Sequence, residues 1–123
     1  MKKRMYLSVL IMIAGLGSVF LWNFSTSGAS ALPPIDIVVI AKDMSFTGTN
    51  LVVRRGQVIR ITVKNEDQPS IIHDFVIPAL GLKTKLLKPG ESEILRFTAD
   101  REGTFNYACT LHPRLMTGKF QVQ

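Results

Sequence analysis

Gly103-Thr-Phe-Asn-Tyr-Ala-Cys-Thr-Leu-His-Pro-Arg-Leu-Met-Thr-Gly-Lys-Phe120 places an alternating segment directly before the chain's single cysteine, one of its two histidines and a methionine. In its first half, Phe105, Tyr107 and Cys109 share one face and Thr104, Asn106 and Ala108 the other. This is the period-two pattern of a half-buried strand. The aromatic face is the core face, so Cys109 leaves the strand pointing inward. His112 to Met116 then form a loop, and Gly118 restarts the chain as a closing strand that runs to Gln123.

The same period recurs upstream. In Val58-Ile-Arg-Ile-Thr-Val-Lys64, Ile59, Ile61 and Val63 face one side and Arg60, Thr62 and Lys64 the other. Ile35 to Ile40 is an apolar run opened by Pro33-Pro34, and Glu93 to Phe97 follows the turn signal Lys88-Pro-Gly90. Turn-rich segments at 47–50, 55–56, 65–69 and 100–103 separate these runs. No segment of helical length keeps an i, i+3, i+4 apolar pattern. Short strands at this spacing predict an all-β domain, an antiparallel sandwich or barrel. In Ile71-Ile-His-Asp-Phe-Val-Ile77, His73 shares a face with Phe75 and Ile77 and also points inward. An inward His and an inward Cys on separate strands can meet at one end of such a sandwich.

The length of 123 residues argues for one domain, and the first part of the chain stands apart from it. Lys2-Lys3-Arg4 gives a basic start, Met5 to Phe24 is free of formal charge and mostly apolar, and Ala29-Ser30-Ala31 forms an A-x-A cleavage pattern. The apolar run exceeds a usual signal core and approaches the ~20 residues that span a bilayer. A cleaved signal peptide and a retained membrane anchor through residues 5–24 therefore both stand, ahead of a buried core helix. Either one exports the rest of the chain, because the basic flank stays in the cytoplasm. Residues 1–31 are read as the signal or anchor segment and residues 32–123 as the domain, placed in the periplasm or on the outer face of the cytoplasmic membrane.

The whole chain carries a formal charge of +6, and without Lys2, Lys3 and Arg4 the domain has 12 basic against 9 acidic residues. That mild bias, with no arginine-rich block and no aromatic–basic interleaving, excludes nucleic acid as the expected partner. A single cysteine closes no internal disulfide, and in an exported chain it suggests pairing with another chain, a reactive thiol or a metal. As a nucleophile, Cys109 would take His112 as its base, but a hydrolytic thiol favours an accessible, electropositive setting. A metal suits the donors better. Two imidazoles, a thiolate and a thioether match soft or borderline ions, and two His with one Cys and a weak axial Met is a blue-copper arrangement. Structural zinc prefers four strong Cys or His ligands.

The Tyr107–Phe120 segment resembles the C-terminal ligand loop of the cupredoxins, the type 1 blue copper proteins that include plastocyanin, azurin and amicyanin. His73-Asp-Phe-Val-Ile-Pro78 resembles the family's first-ligand segment, and Leu51-Val-Val-Arg-Arg-Gly-Gln-Val58 its earlier strand–turn–strand. The likeness runs from about Ile35 to Val122. It implies a Greek-key β-sandwich holding one copper ion, Cu(I) or Cu(II), with His73, Cys109 and His112 as strong ligands and Met116 as the weak axial one. Plastocyanin-like loops have one more residue between the second His and the Met, and amicyanin-like loops one fewer. Azurin-like loops match this gap but lengthen the one from Cys to His. Many members have Asn after the first His. Here Asp74 stands in that place, and by analogy it ties the two ligand loops together near Thr110. Val76 to Lys83 also resembles the oxidase subunit with a two-copper centre, but one cysteine excludes that centre.

The resemblance implies a non-enzymatic electron shuttle, without catalytic residues, serving redox proteins of the cytochrome or oxidase type. His112 becomes the electron port, and Leu111, Pro113 and Leu115 with Ala79, Leu80 and Leu82 the apolar docking patch. Arg114, Lys83, Lys85 and Lys88 are either solvated surface charges or cations that steer acidic partners. A copper carrier or buffer is the alternative role, with Met44 as a further sulfur donor, and a Cys-His enzyme the remote one.

Overall fold

A computed structural model describes Gly28, residues 31–47 and residues 50–123. Two β-sheets pack face to face. One is formed by β1 (Ile35–Lys42), β2 (Ser45–Phe46), β4 (Val58–Asn65) and β7 (Ser92–Thr98) in the order β2-β1-β4-β7. The other is formed by β3 (Asn50–Val53), β5 (Val76–Ile77), β6 (Leu82–Lys83), β8 (Gly103–Ala108) and β9 (Thr117–Val122) in the order β3-β9-β8-β5-β6. A single 3-10 turn, Pro78–Leu80, is the only helical element among the described residues. Among them no helix is long and apolar enough to cross a membrane. The apolar run 5–24 and, apart from Ala31, the cleavage pattern of the signal or anchor segment lie outside the described residues.

The predicted faces are the observed ones. Ile59, Ile61 and Val63 of β4 are fully buried, as are Tyr107 and Cys109, with Phe105 nearly so. Val39 and Ala41 from β1, Leu95 from β7 and Phe120 and Val122 from β9 complete the cluster between the sheets. Period-two patterning thus gives each strand one face for the interior, and burying those faces drives the two sheets together.

The sandwich is mixed rather than antiparallel. β1 and β4 pair in parallel from Ile35↔Ile59 to Ala41↔Asn65, and β3 pairs in parallel with β9 from Asn50↔Lys119 to Val53↔Val122. The cause is the route of the chain, which crosses to the second sheet at β3 before returning as β4 beside β1. Both β1 to β4 and β4 to β7 pass through the opposite sheet, the Greek-key style of connection. Alternation sets the face of each strand but not the direction of its neighbour.

β8 and β9 are locked in register by a close approach. Tyr107 faces Gly118 across the ladder, and its ring lies over the glycine backbone, so that a Cβ on Gly118 would fall 2.3 Å from the Tyr107 ring and hydroxyl. The ring is walled in by Phe75 and Phe46, at centroid distances of 5.0 and 5.9 Å, and burial raises the phenol's pKa above its ordinary value. Gly118→Ala should therefore destabilise the metal-free protein by about 1–3 kcal/mol, as overpacking does in a filled core. Chemical denaturation measures it, and an unchanged midpoint would show that the ring has room to move.

Candidate metal centre

Cys109 is the first residue past β8 and continues its inward alternation. Its N–H donates to the Met116 carbonyl at 2.9 Å, while the Met116 and Leu115 N–H groups both donate to the His112 carbonyl, at 2.9 and 3.1 Å. The loop from Cys109 to Met116 is therefore closed at its base by backbone bonds, directly above the Ala108↔Thr117 rung of the β8–β9 ladder. Met116 is fully buried there, whereas His112 is half-buried.

His73 arrives from the neighbouring segment. It pairs with Leu87 in an isolated bridge, each N–H donating to the other's carbonyl at 3.1 and 2.7 Å. Two residues on, Phe75 N–H donates to the Thr84 hydroxyl at 3.0 Å, and Thr84 N–H returns to the Phe75 carbonyl. Val76 of β5 then pairs with Ala108 of β8, one residue before Cys109. Asp74 makes the tie expected from its position. Thr110 donates its N–H to Oδ1 at 2.7 Å and its hydroxyl to Oδ2 at 2.6 Å. Asp74 is buried, with the exposed Lys83 ammonium 3.9 Å from Oδ2.

These constraints bring His73, Cys109 and His112 together, with one donor atom from each lying within 4.8 Å of the others. Cys109 Sγ stands 3.9 Å from His73 Nδ1 and 3.6 Å from His112 Nδ1. An ion at about 2.3 Å from sulfur and about 2.0 Å from nitrogen would place those atoms about 3.5 Å apart in tetrahedral and about 3.7 Å apart in trigonal geometry. The spacing therefore fits one metal ion, and the donors, two imidazoles and a thiolate, select the class of ion.

Asp67 was absent from the site residues expected from sequence, which treats 65–69 as a turn. Its carboxylate Oδ2 lies 2.9 Å from His73 Nε2. The hydrogen bond with His73, then the Gln68 N–H and the Met44 N–H, hold the Asp67 carboxyl below its ordinary range, against the opposing effect of burial. Asp67 is placed by a turn in which Ile71 N–H donates to the Gln68 carbonyl at 3.3 Å, with Pro69 and Ser70 between. Ser70 takes φ 78°, a position that usually calls for Gly. The buried Asn65 spans the turn, its Nδ2 donating to the Ile71 and Leu87 carbonyls while Oδ1 accepts the Asp67 N–H.

A family model described as a cupredoxin-like domain matches residues 14–122. The chain belongs to the cupredoxin family. Among relatives of this cupredoxin, a copper-containing nitrite reductase of Alcaligenes xylosoxydans xylosoxydans is 36% identical over 78 residues, covering 56% of the chain. The chain spans about a quarter of that relative, 24% of its length. Auracyanin A, a "blue" copper protein from Chloroflexus aurantiacus, superposes with a TM-score of 0.63 at 24% identity, covering 73% of this chain and 99% of that one. The reduced state of an amicyanin mutant superposes with a TM-score of 0.55 at 31% identity, covering 72% and 82%. Cupredoxins bind copper, and the His73–Cys109–His112 cluster fits a single copper ion.

One expectation fails. Ala79 and Leu80 do not join the loop leucines, because β5 runs antiparallel to β8 and carries the chain away from Cys109. The Ala79 carbonyl instead accepts from the Arg101 guanidinium at 2.6 Å, near the start of β8. The expected docking patch therefore loses these two residues.

The Asp74 tie has a measurable strength. Asp74→Ala removes the acceptor of the Thr110 N–H and hydroxyl, and because Thr110 is exposed water can replace it, so the metal-free protein should lose about 1–3 kcal/mol, the usual net contribution of two hydrogen bonds. Urea denaturation reads this loss, and a wild-type midpoint would mean that the two ligand segments hold together without Asp74.

Proposed function

We propose that this cupredoxin is a mononuclear type 1 copper protein that shuttles single electrons between extracytoplasmic redox partners. The observation that carries the reading is the convergence of His73, Cys109 and His112 within 4.8 Å at one end of a sandwich. In this reading these three are the strong ligands and Met116, buried at the base of the loop, is the axial one. When bound, copper supplies a one-electron Cu(I)/Cu(II) couple.

The protein's part is to keep the donors still while the charge changes. Cys109 and His73 are fixed by adjacent strands and by the Asp74–Thr110 tie. Phe75 and Tyr107, in contact at 5.0 Å between centroids, and Phe46 packed against both, fill the space beneath them and restrict their motion. His112 alone of the three is not fully buried, and its ring edge is the route by which electrons enter and leave. Leu111 and Leu115, exposed by 49% and 66%, flank it with Pro113 as an apolar rim suited to small, short-lived interfaces. Lys83 and Lys85 lie 3.9 and 4.0 Å from Asp74 and Glu91, which compensates part of their charge. Arg114, within the loop, is the cation best placed to steer an acidic partner of the cytochrome or oxidase type. No catalytic residue is assigned. Residues 1–31 are the signal or anchor segment in this proposal, and residues 32–123 the exported domain.

An optical and electron-paramagnetic-resonance spectrum with one equivalent of Cu(II) tests the site. An intense visible thiolate-to-copper band that vanishes in Cys109→Ser is the expected result, and a colourless protein sinks the reading. Reversible redox cycling without loss of copper supports electron transfer, whereas release on reduction indicates a copper carrier. Asp74→Asn removes a buried negative charge beside the site and should raise the reduction potential in a redox titration. An unchanged value would count against an effect of Asp74 on the potential.

A further inference from the structure

His73 is wholly inside the protein, and both of its ring nitrogens are engaged. Nδ1 faces Cys109 Sγ at 3.9 Å, and Nε2 faces Asp67 Oδ2 at 2.9 Å. An ionised carboxylate only accepts, so Nε2 must carry the hydrogen, and in the neutral ring Nδ1 keeps the lone pair. His112 presents its Nδ1 to the same sulfur from a half-buried position in the loop, so the two histidines are held in different ways.

Asp67 is itself held from several sides. Its Oδ1 accepts the Gln68 N–H at 2.8 Å, its own N–H donates to Asn65 Oδ1 at 2.9 Å, and the Met44 N–H donates to the carboxylate. Its side chain is only 2% exposed. Met44 reaches it from the two-residue turn between β1 and β2, where Asp43 and Met44 both take left-handed backbone angles, φ 48° and 58°. Residues with side chains rarely adopt that conformation, and it persists where the surroundings enforce it. Two turns from different parts of the chain therefore converge on one carboxylate, and that carboxylate meets one imidazole.

We propose that Asp67 is a positioning residue for His73, locking the ring in the Nε2–H tautomer that presents Nδ1 to the metal, and that its fixed negative charge favours Cu(II) over Cu(I). The second half of this proposal rests on the copper reading above. The first half concerns the metal-free protein alone. Partners of this kind orient ligating histidines and raise their basicity. Met44, proposed from sequence as a further sulfur donor, acquires a different use, through its backbone rather than its thioether.

The test is nitrogen-15 NMR of the metal-free full chain, followed by redox titration of the copper-loaded one. His73 should show a protonated Nε2 and an unprotonated Nδ1 in the wild type, and lose that single tautomer in Asp67→Ala. Asp67→Asn can still turn an oxygen to Nε2 while losing the charge. It should keep the visible band and shift the Cu(II)-over-Cu(I) preference about tenfold, which is about 59 mV for a one-electron couple. If Asp67→Ala does not fold, the wild-type tautomer and the Asp67→Asn potential carry the test. A wild-type His73 protonated on Nδ1, or an unchanged potential in Asp67→Asn, would overturn the inference. A colourless wild type with the Nε2–H tautomer intact would overturn the electron-transfer reading but uphold the positioning role.

Discussion

The geometry of His73 hangs on the side chain of Asn65. It is buried at the end of β4, where the parallel ladder with β1 stops at the Ala41↔Asn65 rung. Its Nδ2 donates to the carbonyls of Ile71 and Leu87, and its Oδ1 takes the Asp67 N–H. Leu87 holds the His73 backbone and Asp67 holds the His73 ring. One amide therefore fixes both the backbone and the ring of His73 relative to the frame of the first sheet. Such a group is worth burying only when all its bonds are made, and here each has a partner.

The second sheet supplies the other half. The Val76↔Ala108 pair brings the two ligand segments alongside each other, and Asp74 clasps Thr110 across the remaining gap. The interior of the site is thus ringed by two carboxylates, Asp67 and Asp74, each bonded to groups that position a ligand. The rim is different in kind. His112 and its neighbouring leucines sit on a short loop closed by backbone bonds, half in solvent. Buried and exposed parts of the centre thus meet within one short loop, with Cys109 and Met116 at its buried base and His112 at its half-buried side.

How much of this could be read from the residues depends on the range over which each feature acts. The inward faces of β4 and β8, the loop from His112 to Met116 and the meeting of His73 with Cys109 all follow from local alternation and from donor chemistry. The Asp74–Thr110 tie was expected because the family resemblance supplied the pairing, and the structure contains it. The parallel pairing of β1 with β4 and of β3 with β9 was not legible, since period two is blind to strand direction. The placement of Ala79 and Leu80 failed because β5, antiparallel to β8, carries them toward Arg101 at the other end of that strand. Asp67 was hidden because its reach to His73 depends on a left-handed Ser70 and on Met44, a residue from another hairpin. No spacing rule links those positions.

The parallel pairing of β3 with β9 sets an order on how the molecule is made. Asn50 lies beside Lys119 and Val53 beside Val122, so the second sheet cannot close until nearly all of the domain has been synthesised. Pairings this distant in sequence must overcome loop-closure entropy before they yield any stabilisation, which places them late in folding and slows the whole process. Cys109, His112 and Met116 lie between β8 and β9, so the sulfur of Cys109 stays outside a finished pocket until that last closure. In the copper reading proposed above, the donors would then be assembled by folding itself, before any metal is held.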